Sequence, residues 1–440
     1  MTVKKHIQRY AARALSSRGL KTFRRTIWQV RQSLTAGQPL VDVWLRADDP
    51  YSYLLVQVLP QLQQRFLVNW RFRVIATLQD DMYPEPQMWQ KNSIQDVALL
   101  AGLYQLQAPE REPLSIAQVE VATGRLLQLQ QQAVDWSAVR QVFDDLWQGQ
   151  SQPAEPLSAE QQTLLATNEQ QLVQEGHYLS ATLKFQGEWY WGLDRLVHLE
   201  QRLNQLKLNQ GSAILQFDKT YANFCRSYEE AESHSQQHQQ AQPLVLYFSA
   251  RSPYSYLGLE RVAQLAQHYQ IPLQVKPLLP MLMRGLSVPR AKTFYIFGDI
   301  KREADKLSLP YGFVADPLGV GVERCYALFE YAENEGKAVE YLLSFARAVN
   351  AEGIMAETDQ GLKLIVERAG LSWDKAAAIL ARDDWQTAWS DWAEANRVEM
   401  IEQGQWGVPS IRYGDLTVWG QDRIEFIEQA IRRHLGLEDH

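Results

Sequence analysis

The pentapeptide Pro-Tyr-Ser-Tyr-Leu occurs twice in this chain, at residues 50–54 and 253–257. Each copy follows a short apolar run and opens a pattern with helical spacing, so each predicts a helix that begins directly after a strand. The residue before the pentapeptide is Asp49 in the first copy and Ser252 in the second. Two such turns that differ at this residue predict two copies of one domain, of which only one carries a reactive group.

Alignment of the chain with itself supports a duplication. Residues 41–107 align with 244–310 without a gap, and residues 176–200 align with 404–428. The offset is 203 residues in the first block and 228 in the second, so the second copy holds about 25 more residues between the blocks. Several separate identities that stay in register favour duplication over chance.

The same secondary structure is predicted for each copy: strand, helix, strand, a long helical section, a strand pair and a final helix. In the second copy the strand pair is predicted at Ser410–Tyr413 and Leu416–Trp419, because Gly414-Asp415 is a two-residue hairpin signal. This order is typical of a thioredoxin-like domain. The predicted fold class is therefore α/β, with two thioredoxin-like domains that each contain an inserted helical subdomain.

The N-terminal 40 residues differ in charge from the rest of the chain. They contain nine Lys and Arg residues and no acid, whereas the whole chain has a net charge of −7. Apolar residues recur at helical spacing within this arm, which predicts amphipathic helices. Three interpretations stay open: docking on the acidic remainder of the chain, contact with an anionic membrane, and an organelle transit peptide. Nucleic-acid binding is not expected, because the rest of the chain is acidic and lacks a recognition motif.

Few residues predict redox or metal chemistry. Cys225 and Cys325 lie far apart and form no CxxC, so we expect both to pack in helices and the protein to occupy a reducing, cytoplasmic compartment. His234 and His238 have i, i+4 spacing but no third ligand in register, so no metal site is predicted. No stretch approaches the roughly 18 apolar residues that span a bilayer.

Three segments of the second copy form a more specific pattern. They are Ser252-Pro-Tyr-Ser-Tyr-Leu257 after a strand, Gly404-Gln-Trp-Gly-Val-Pro-Ser410, and Trp419-Gly-Gln-Asp-Arg423. The pattern resembles the DsbA-like thioredoxin superfamily, in particular its 2-hydroxychromene-2-carboxylate isomerase and kappa-class glutathione transferase branch. The resemblance covers residues 244–433, and the first copy matches only in outline.

The resemblance implies a functional role for the turn at Ser252. Redox members of the superfamily hold Cys-x-x-Cys there, whereas this chain holds Ser252 and Ser255, which excludes dithiol exchange through the motif. A hydroxyl at a helix N-terminus favours a bound anion. The resemblance implies that this anion is a glutathione thiolate, with Ser252 as the catalytic residue. Taken alone, a serine before Pro253 is also an ordinary helix cap.

The resemblance assigns the rest of a glutathione site to four residues, Val408, Pro409, Gln421 and Asp422. A proline in this place is usually cis in thioredoxin-like folds and leaves the backbone of Val408 free to pair with a peptide-like ligand. Gln421 and Asp422 would hold the γ-glutamyl end; the alternative for Asp422 is that it caps the final helix. The predicted function is a glutathione-dependent isomerase or transferase that acts on a small molecule such as an unsaturated aromatic acid.

The first copy lacks these groups. Three aligned pairs show the difference: Asp49 for Ser252, Ala181 for Pro409, and Leu193 for Gln421. A carboxylate at the helix N-terminus would repel a thiolate. We interpret the first copy as a degenerate partner in a pseudo-dimer within one chain, since family members often pair as dimers. The alternative is that Asp49 acts as a general base on another ligand.

The predicted domains follow from these assignments. They are a basic arm at 1–40, a degenerate DsbA-like copy at 41–206, a connecting helix and polar linker at 207–243, and a copy with the candidate site at 244–436. A second function stays open, namely a non-catalytic or chaperone-like thioredoxin-fold binding protein. It is favoured because residues 284–290 depart from the Asn-x-Pro-Pro type of loop that the resemblance implies after the second strand.

Overall fold

A computed structural model describes residues 2–34, 37–77, 85–109, 115–149, 156–222, 224–228 and 242–437. The chain divides into two compact units. Unit 1 comprises residues 1–22, 223–288 and 296–440, and unit 2 comprises residues 23–222 and 289–295. The predicted polar linker falls largely on residues 229–241, which lie outside the described ranges together with His234 and His238.

The described residues form a mixed α/β structure. The strands are β1 (Leu40–Leu45), β2 (Asn69–Val74), β3 (Thr182–Phe185), β4 (Glu188–Trp191), β5 (Leu244–Phe248), β6 (Leu273–Pro277), β7 (Ser410–Tyr413) and β8 (Leu416–Trp419). The α-helices are α1 (Thr2–Leu15), α2 (Arg18–Leu34), α3 (Pro50–Arg65), α4 (Pro86–Tyr104), α5 (Ile116–Gln130), α6 (Trp136–Trp147), α7 (Ala159–Gln174), α8 (Leu196–Gln205), α9 (Lys219–Ala222), α10 (Pro253–His268), α11 (Arg290–Lys306), α12 (Val320–Ala327), α13 (Phe329–Asn334), α14 (Ala338–Arg347), α15 (Asp359–Arg368), α16 (Trp373–Leu380), α17 (Ser390–Glu402) and α18 (Ile424–His434). Short 3-10 turns span Leu193–Arg195, Met281–Arg284 and Gln421–Arg423, and a π-helical turn spans Ala348–Glu352.

The two sheets have the same strand order. It is β2-β1-β3-β4 in unit 2 and β6-β5-β7-β8 in unit 1, with the first pair parallel and the other neighbours antiparallel. All five residues of β5 are buried, which explains why the sequence there is a continuous apolar run rather than an alternation. The predicted hairpin between β7 and β8 is confirmed, and Gly414 adopts the positive φ of +58° that its turn requires.

Both pentapeptides start a helix, as predicted. α3 and α10 each begin at the proline of the pentapeptide and carry a side-chain cap. The Asp49 carboxylate accepts hydrogen bonds from the backbone N–H groups of Tyr51 and Ser52, and the Ser252 hydroxyl accepts one from the N–H of Ser255. A cap of this kind stabilises a helix by about 1 kcal/mol. The shared motif is therefore a helix start in both copies.

The helical section between the parallel strands and the final hairpin is longer in the second copy. It runs from α4 to α7 in the first copy and from α11 to α17 in the second. This difference agrees with the roughly 25 additional residues that the alignment offsets predict in that section.

The basic arm forms α1 and α2, as its periodicity predicts. In unit 1, the Arg9 guanidinium donates a 2.8 Å hydrogen bond to the carbonyl of Gly353. In unit 2, Arg25 forms an ion pair with Glu188. Each helix therefore contacts the body of its unit, in agreement with the docking interpretation. No helix within the described ranges is long and apolar enough to cross a membrane.

Candidate active site

Ser252 lies half-buried in the turn from β5 into α10. Its backbone N–H donates to the carbonyl of Ser249 at 3.0 Å, which closes the turn. Its hydroxyl oxygen accepts the N–H of Ser255 at 3.2 Å, so the hydroxyl proton can be donated to another acceptor. The positive end of the α10 dipole lies at the same place. An anion bound there would meet both a hydroxyl donor and a helix N-terminus.

The turn before β7 contains the predicted proline. The Val408–Pro409 peptide bond is cis, as the resemblance implies. A Cβ placed on Gly258 of α10 would lie 3.1 Å from the Cβ and Cγ of buried Pro409, so the glycine allows the proline ring to pack closely against the helix. Val408 packs against a core cluster made of Val245, Tyr247, Leu278 and Met400.

Gln421 lies in the 3-10 turn before α18, and its side chain is completely buried. Its amide oxygen accepts a hydrogen bond from Arg261 at 2.8 Å. Its amide nitrogen donates to Glu303 at 3.1 Å and also to the Asp422 carboxylate. Both ends of the amide are thus engaged by protein groups. Gln421 is therefore enclosed by protein groups, and its contact toward the half-buried position is the hydrogen bond that it donates to the Asp422 carboxylate.

Asp422 is half-buried, in contrast to Gln421. The alternative prediction made it the cap of the final helix. In the structure α18 begins at Ile424 and Arg423 occupies its cap position, without a side-chain cap hydrogen bond. A partly exposed carboxylate held by a buried amide can pair with an ammonium group of a ligand.

A buried polar network distinguishes the second copy from the first. Its members are Arg261, Glu303 and Gln421, and Arg261 also donates to the carbonyl of Gln421 at 2.6 Å. The aligned residues of the first copy are Val58, Leu100 and Leu193, all buried. Buried charged and amide groups are costly unless each is hydrogen-bonded, and well-packed apolar residues would stabilise the position at least as well. The second copy therefore keeps an energetically costly network, which contacts the Asp422 carboxylate through Gln421.

No motif in the sequence marks Arg261 or Glu303 as a site residue. The signal was nevertheless present in the gapless alignment, which sets Arg261 opposite Val58 and Glu303 opposite Leu100. A charged residue opposite an apolar one, at two positions on neighbouring helices, indicates a buried polar contact that only one copy possesses.

The two copies also differ in the size of the side chains near the proline. The second copy holds Gly258 and Pro409, whereas the aligned positions of the first copy hold Leu55 and Ala181, both fully buried. Ala181 has a φ of +51°, which a proline ring cannot adopt, so the turn follows a different backbone path in the first copy.

Asp49 is enclosed by residues of its own unit. Besides the two N–H groups of α3, its carboxylate accepts hydrogen bonds from the hydroxyl groups of Ser52 and Ser180, each at 2.8 Å. Burial raises the pKa of this carboxyl above its ordinary value. Because Ser180 aligns with Val408 and Asp49 with Ser252, the side chains at these two equivalent positions contact each other in the first copy.

A cavity of about 430 Å³ lies beside the start of α3 in unit 2. Its lining residues are Asp48, Pro50, Gln90, Ile94, Ile116, Val119 and Trp147. Asp48, which is paired with Arg46 at 3.2 Å, contributes the carboxylate of this lining. Most of the wall is apolar, and its Ile116 is 88% exposed, so the pocket opens to solvent.

Both cysteines are free thiols. Cys325 is buried in α12, as predicted, and burial raises the pKa of its thiol. The prediction that Cys225 packs in a helix is wrong: it lies in the irregular segment 224–228, where its N–H donates to the Glu428 carboxylate at 3.0 Å. Burial, together with the Glu428 charge, raises the pKa of Cys225 to about 12. Neither residue supplies a thiolate at neutral pH. No group of three or more metal-ligating side chains occurs among the described residues.

Comparison with known proteins agrees with this geometry. The strand order, the helix after the first strand and the cis-proline turn define a domain of the thioredoxin-like class. Residues 243–432 match the family model of the DSBA-like thioredoxin domain. This part of the chain is a DsbA-like thioredoxin domain.

Several similar proteins share the name 2-hydroxychromene-2-carboxylate isomerase. The one from Pseudomonas putida is 29% identical over 203 residues, which cover 42% of this chain and 93% of that protein. The one from Sphingobium xenophagum is 24% identical over 195 residues, which cover 42% of this chain and 95% of that protein. A solved structure of a 2-hydroxychromene-2-carboxylate isomerase is 25% identical, covers 45% of this chain and 100% of that chain, and has a TM-score of 0.39.

Proposed function

We propose that the second copy is a glutathione-dependent isomerase or transferase of the 2-hydroxychromene-2-carboxylate isomerase type, in which a serine replaces the redox cysteine. The observation that carries the proposal is the buried network of Arg261, Glu303 and Gln421 behind Asp422. The first copy, with the same strand order, fills these positions with apolar side chains. The similar proteins named as isomerases support the reaction class.

The residues present suit glutathione, whose groups are a thiol, peptide bonds, carboxylates and one ammonium. Ser252 and the start of α10 offer a hydroxyl proton and a positive dipole end to a thiolate. The backbone of Val408, beside cis-Pro409, would pair with a peptide bond. The half-buried Asp422 carboxylate would hold the ammonium group.

Each residue has one task in the proposed reaction. When bound, glutathione would supply a thiolate that adds reversibly to the unsaturated bond of an aromatic acid, so that the bond can rotate before the thiolate leaves. Ser252 lowers the thiol pKa by donating a hydrogen bond to the sulfur. Pro409 holds the Val408 backbone against α10, and Gln421 orients Asp422.

We further propose that the chain is a tandem duplication with the domain bounds 1–40, 41–206, 207–243 and 244–436. Two aligned hydrogen bonds support this origin. The Tyr51 hydroxyl donates to Asp96 at 2.7 Å, and the Tyr254 hydroxyl donates to Asp299 at 2.6 Å. The first copy would then serve as a degenerate pairing partner. The two free thiols fit a reducing compartment such as the cytoplasm.

Calorimetric titration with glutathione tests the proposal. The wild-type protein is expected to bind glutathione and to lower the pKa of the bound thiol, which the thiolate absorbance reports. Ser252→Ala should weaken binding and return the thiol pKa toward its free value. The matched control is Ser372→Ala, which removes a serine cap from α16 in the same unit and should leave binding unchanged. Absence of glutathione binding to the wild type would overturn the proposal.

A second candidate function is binding without catalysis, in the manner of a chaperone-like protein. The cavity beside α3 favours this function, because most of its wall is apolar. It also lies in the first copy, which holds Asp49 in the place of Ser252. Suppression of the aggregation of an unfolded client protein tests this function. Ile94→Arg should abolish the suppression, whereas Ser252→Ala should leave it unchanged.

A further inference from the structure

The apolar face of α2 is exposed to solvent. Phe23, Ile27, Val30 and Leu34 are spaced i, i+4, i+7 and i+11, which places them on one side of the helix. Their exposed fractions are 61%, 37%, 54% and 80%. A surface helix normally turns such a face toward the core of its protein. In α2 these four residues, the α2 face, are instead exposed to solvent.

Contacts on the opposite side hold α2 in place. Arg25 donates two hydrogen bonds to the Glu188 carboxylate, at 2.6 and 2.9 Å. The ring of Trp28 packs so closely on Gly187 that a Cβ there would lie 2.8 Å from the indole nitrogen. At 3.6 residues per turn, Arg25 and Trp28 project roughly opposite to the α2 face. The exposure of that face is therefore a consequence of how the helix is docked.

The charges beside the α2 face indicate which partner it binds. Arg24 and Arg31 are exposed and lie together along one edge of the face on the helical wheel, and residues 1–40 hold nine Lys and Arg residues and no acid. An apolar stripe with cations along its edge is a pattern by which helices lie in the interface of an anionic bilayer. We propose that α2 binds the surface of a bilayer containing anionic lipids, with the α2 face in the interfacial region and Arg24 and Arg31 on the headgroups.

A second copy of the chain is a less suitable occupant. A symmetric dimer would bring the same face of both copies together. Because the arm contains no acid, the two basic helices would repel each other without a compensating charge. An anionic bilayer satisfies the apolar side chains and the cations at the same time.

Co-sedimentation of the full chain with lipid vesicles tests the proposal. Binding is expected to be at least about tenfold stronger to vesicles of phosphatidylcholine with phosphatidylserine than to phosphatidylcholine alone, and to decrease with salt. Phe23→Ser with Leu34→Ser should reduce binding about tenfold. The matched control is Val173→Ser with Ile214→Ser, since these residues of the same unit are 55% and 67% exposed. That control should bind like the wild type.

Two further measurements separate the alternatives. Arg24→Gln with Arg31→Gln should weaken binding to the anionic vesicles about tenfold and leave the weak binding to neutral vesicles unchanged. Thermal unfolding should show that all variants remain folded, because the substituted side chains are exposed. No binding of the wild type, or equal loss in the control variant, would overturn the proposal. So would a dimer in sedimentation velocity that Phe23→Ser with Leu34→Ser dissociates, because a second copy would then cover the face.

Discussion

The Ser180 hydroxyl donates a 2.8 Å hydrogen bond to the buried Asp49 carboxylate. These residues align with Val408 and Ser252, to which we assign the peptide backbone and the thiolate of glutathione in the second copy. The first copy therefore occupies the equivalent place with a contact between its own side chains. A carboxylate already caps the helix there, so a second anion would be repelled.

Ser180→Ala is expected to destabilise unit 2 by about 1–3 kcal/mol, because a buried carboxylate loses one of its donors. Urea unfolding measures the free energy, and the effect should be smaller in an Asp49→Asn background, where the residue carries no charge. Glutathione affinity should not change. Loss of glutathione binding in Ser180→Ala would mean that the first copy, not the second, holds the ligand.

Gly258→Ala is expected to displace Pro409, because the added Cβ would lie 3.1 Å from the proline ring. The measurable result is weaker glutathione binding in a calorimetric titration, together with unchanged or reduced stability. The matched control is Gly298→Ala in α11, where an added Cβ meets nothing within 4 Å. This control should gain about 0.5–1 kcal/mol from helix propensity and bind normally. Equal behaviour of the two variants would contradict the packing argument.

Replacing the polar network with the residues of the first copy should separate stability from binding. The variant Arg261→Val, Glu303→Leu, Gln421→Leu is expected to be as stable as the wild type, or more stable by about 1–4 kcal/mol. Glutathione affinity should fall at least about tenfold, because Asp422 loses the amide that orients it. Chemical unfolding and calorimetry measure the two effects.

The single variant Arg261→Val provides the comparison. It leaves the carbonyl and the side-chain oxygen of Gln421 without this donor, so it should be destabilised by about 1–3 kcal/mol. If the triple variant bound glutathione like the wild type, the network would be a structural feature without a role in the site.

The elements of the fold could be predicted because their signals are local. The pentapeptide carries its own cap and proline, and Gly414-Asp415 specifies a tight turn. The burial of Gln421 could not be predicted from local spacing, because its partners Arg261 and Glu303 lie on other helices, far away in sequence. Local spacing cannot indicate which polar residues a tertiary contact will enclose.

The orientation of α2 could not be predicted from local spacing either. The apolar spacing of the α2 face predicts an amphipathic helix, and the helix is present. The spacing does not reveal that Arg25 pairs with Glu188 or that the Trp28 ring packs against Gly187. These contacts involve residues about 160 positions apart and decide which side of the helix meets the body of unit 2.

His177 should make the stability of unit 2 depend on pH. Its ring is buried, lies 4.4 Å from the Trp189 ring in a stacked arrangement, and shares a 3.1 Å hydrogen bond with the Thr182 hydroxyl. Burial, with a contribution from the Lys184 charge, lowers the pKa of His177 from 6.5 to about 3. Between these pH values the unfolded chain binds a proton that the folded unit excludes. The contribution of His177 to stability is therefore complete above pH 6.5 and is lost as the pH falls toward 3.

The expected slope is about 1.4 kcal/mol of unfolding free energy per pH unit within that window. His177→Phe retains the stacking on Trp189 and removes the titrating group, so its urea midpoint should fall less steeply with decreasing pH than that of the wild type. Thr182→Val is the control, because it removes the hydrogen bond and keeps the buried imidazole; its midpoint should shift at every pH while the slope persists. Equal slopes for His177→Phe and the wild type would show that other groups govern acid unfolding.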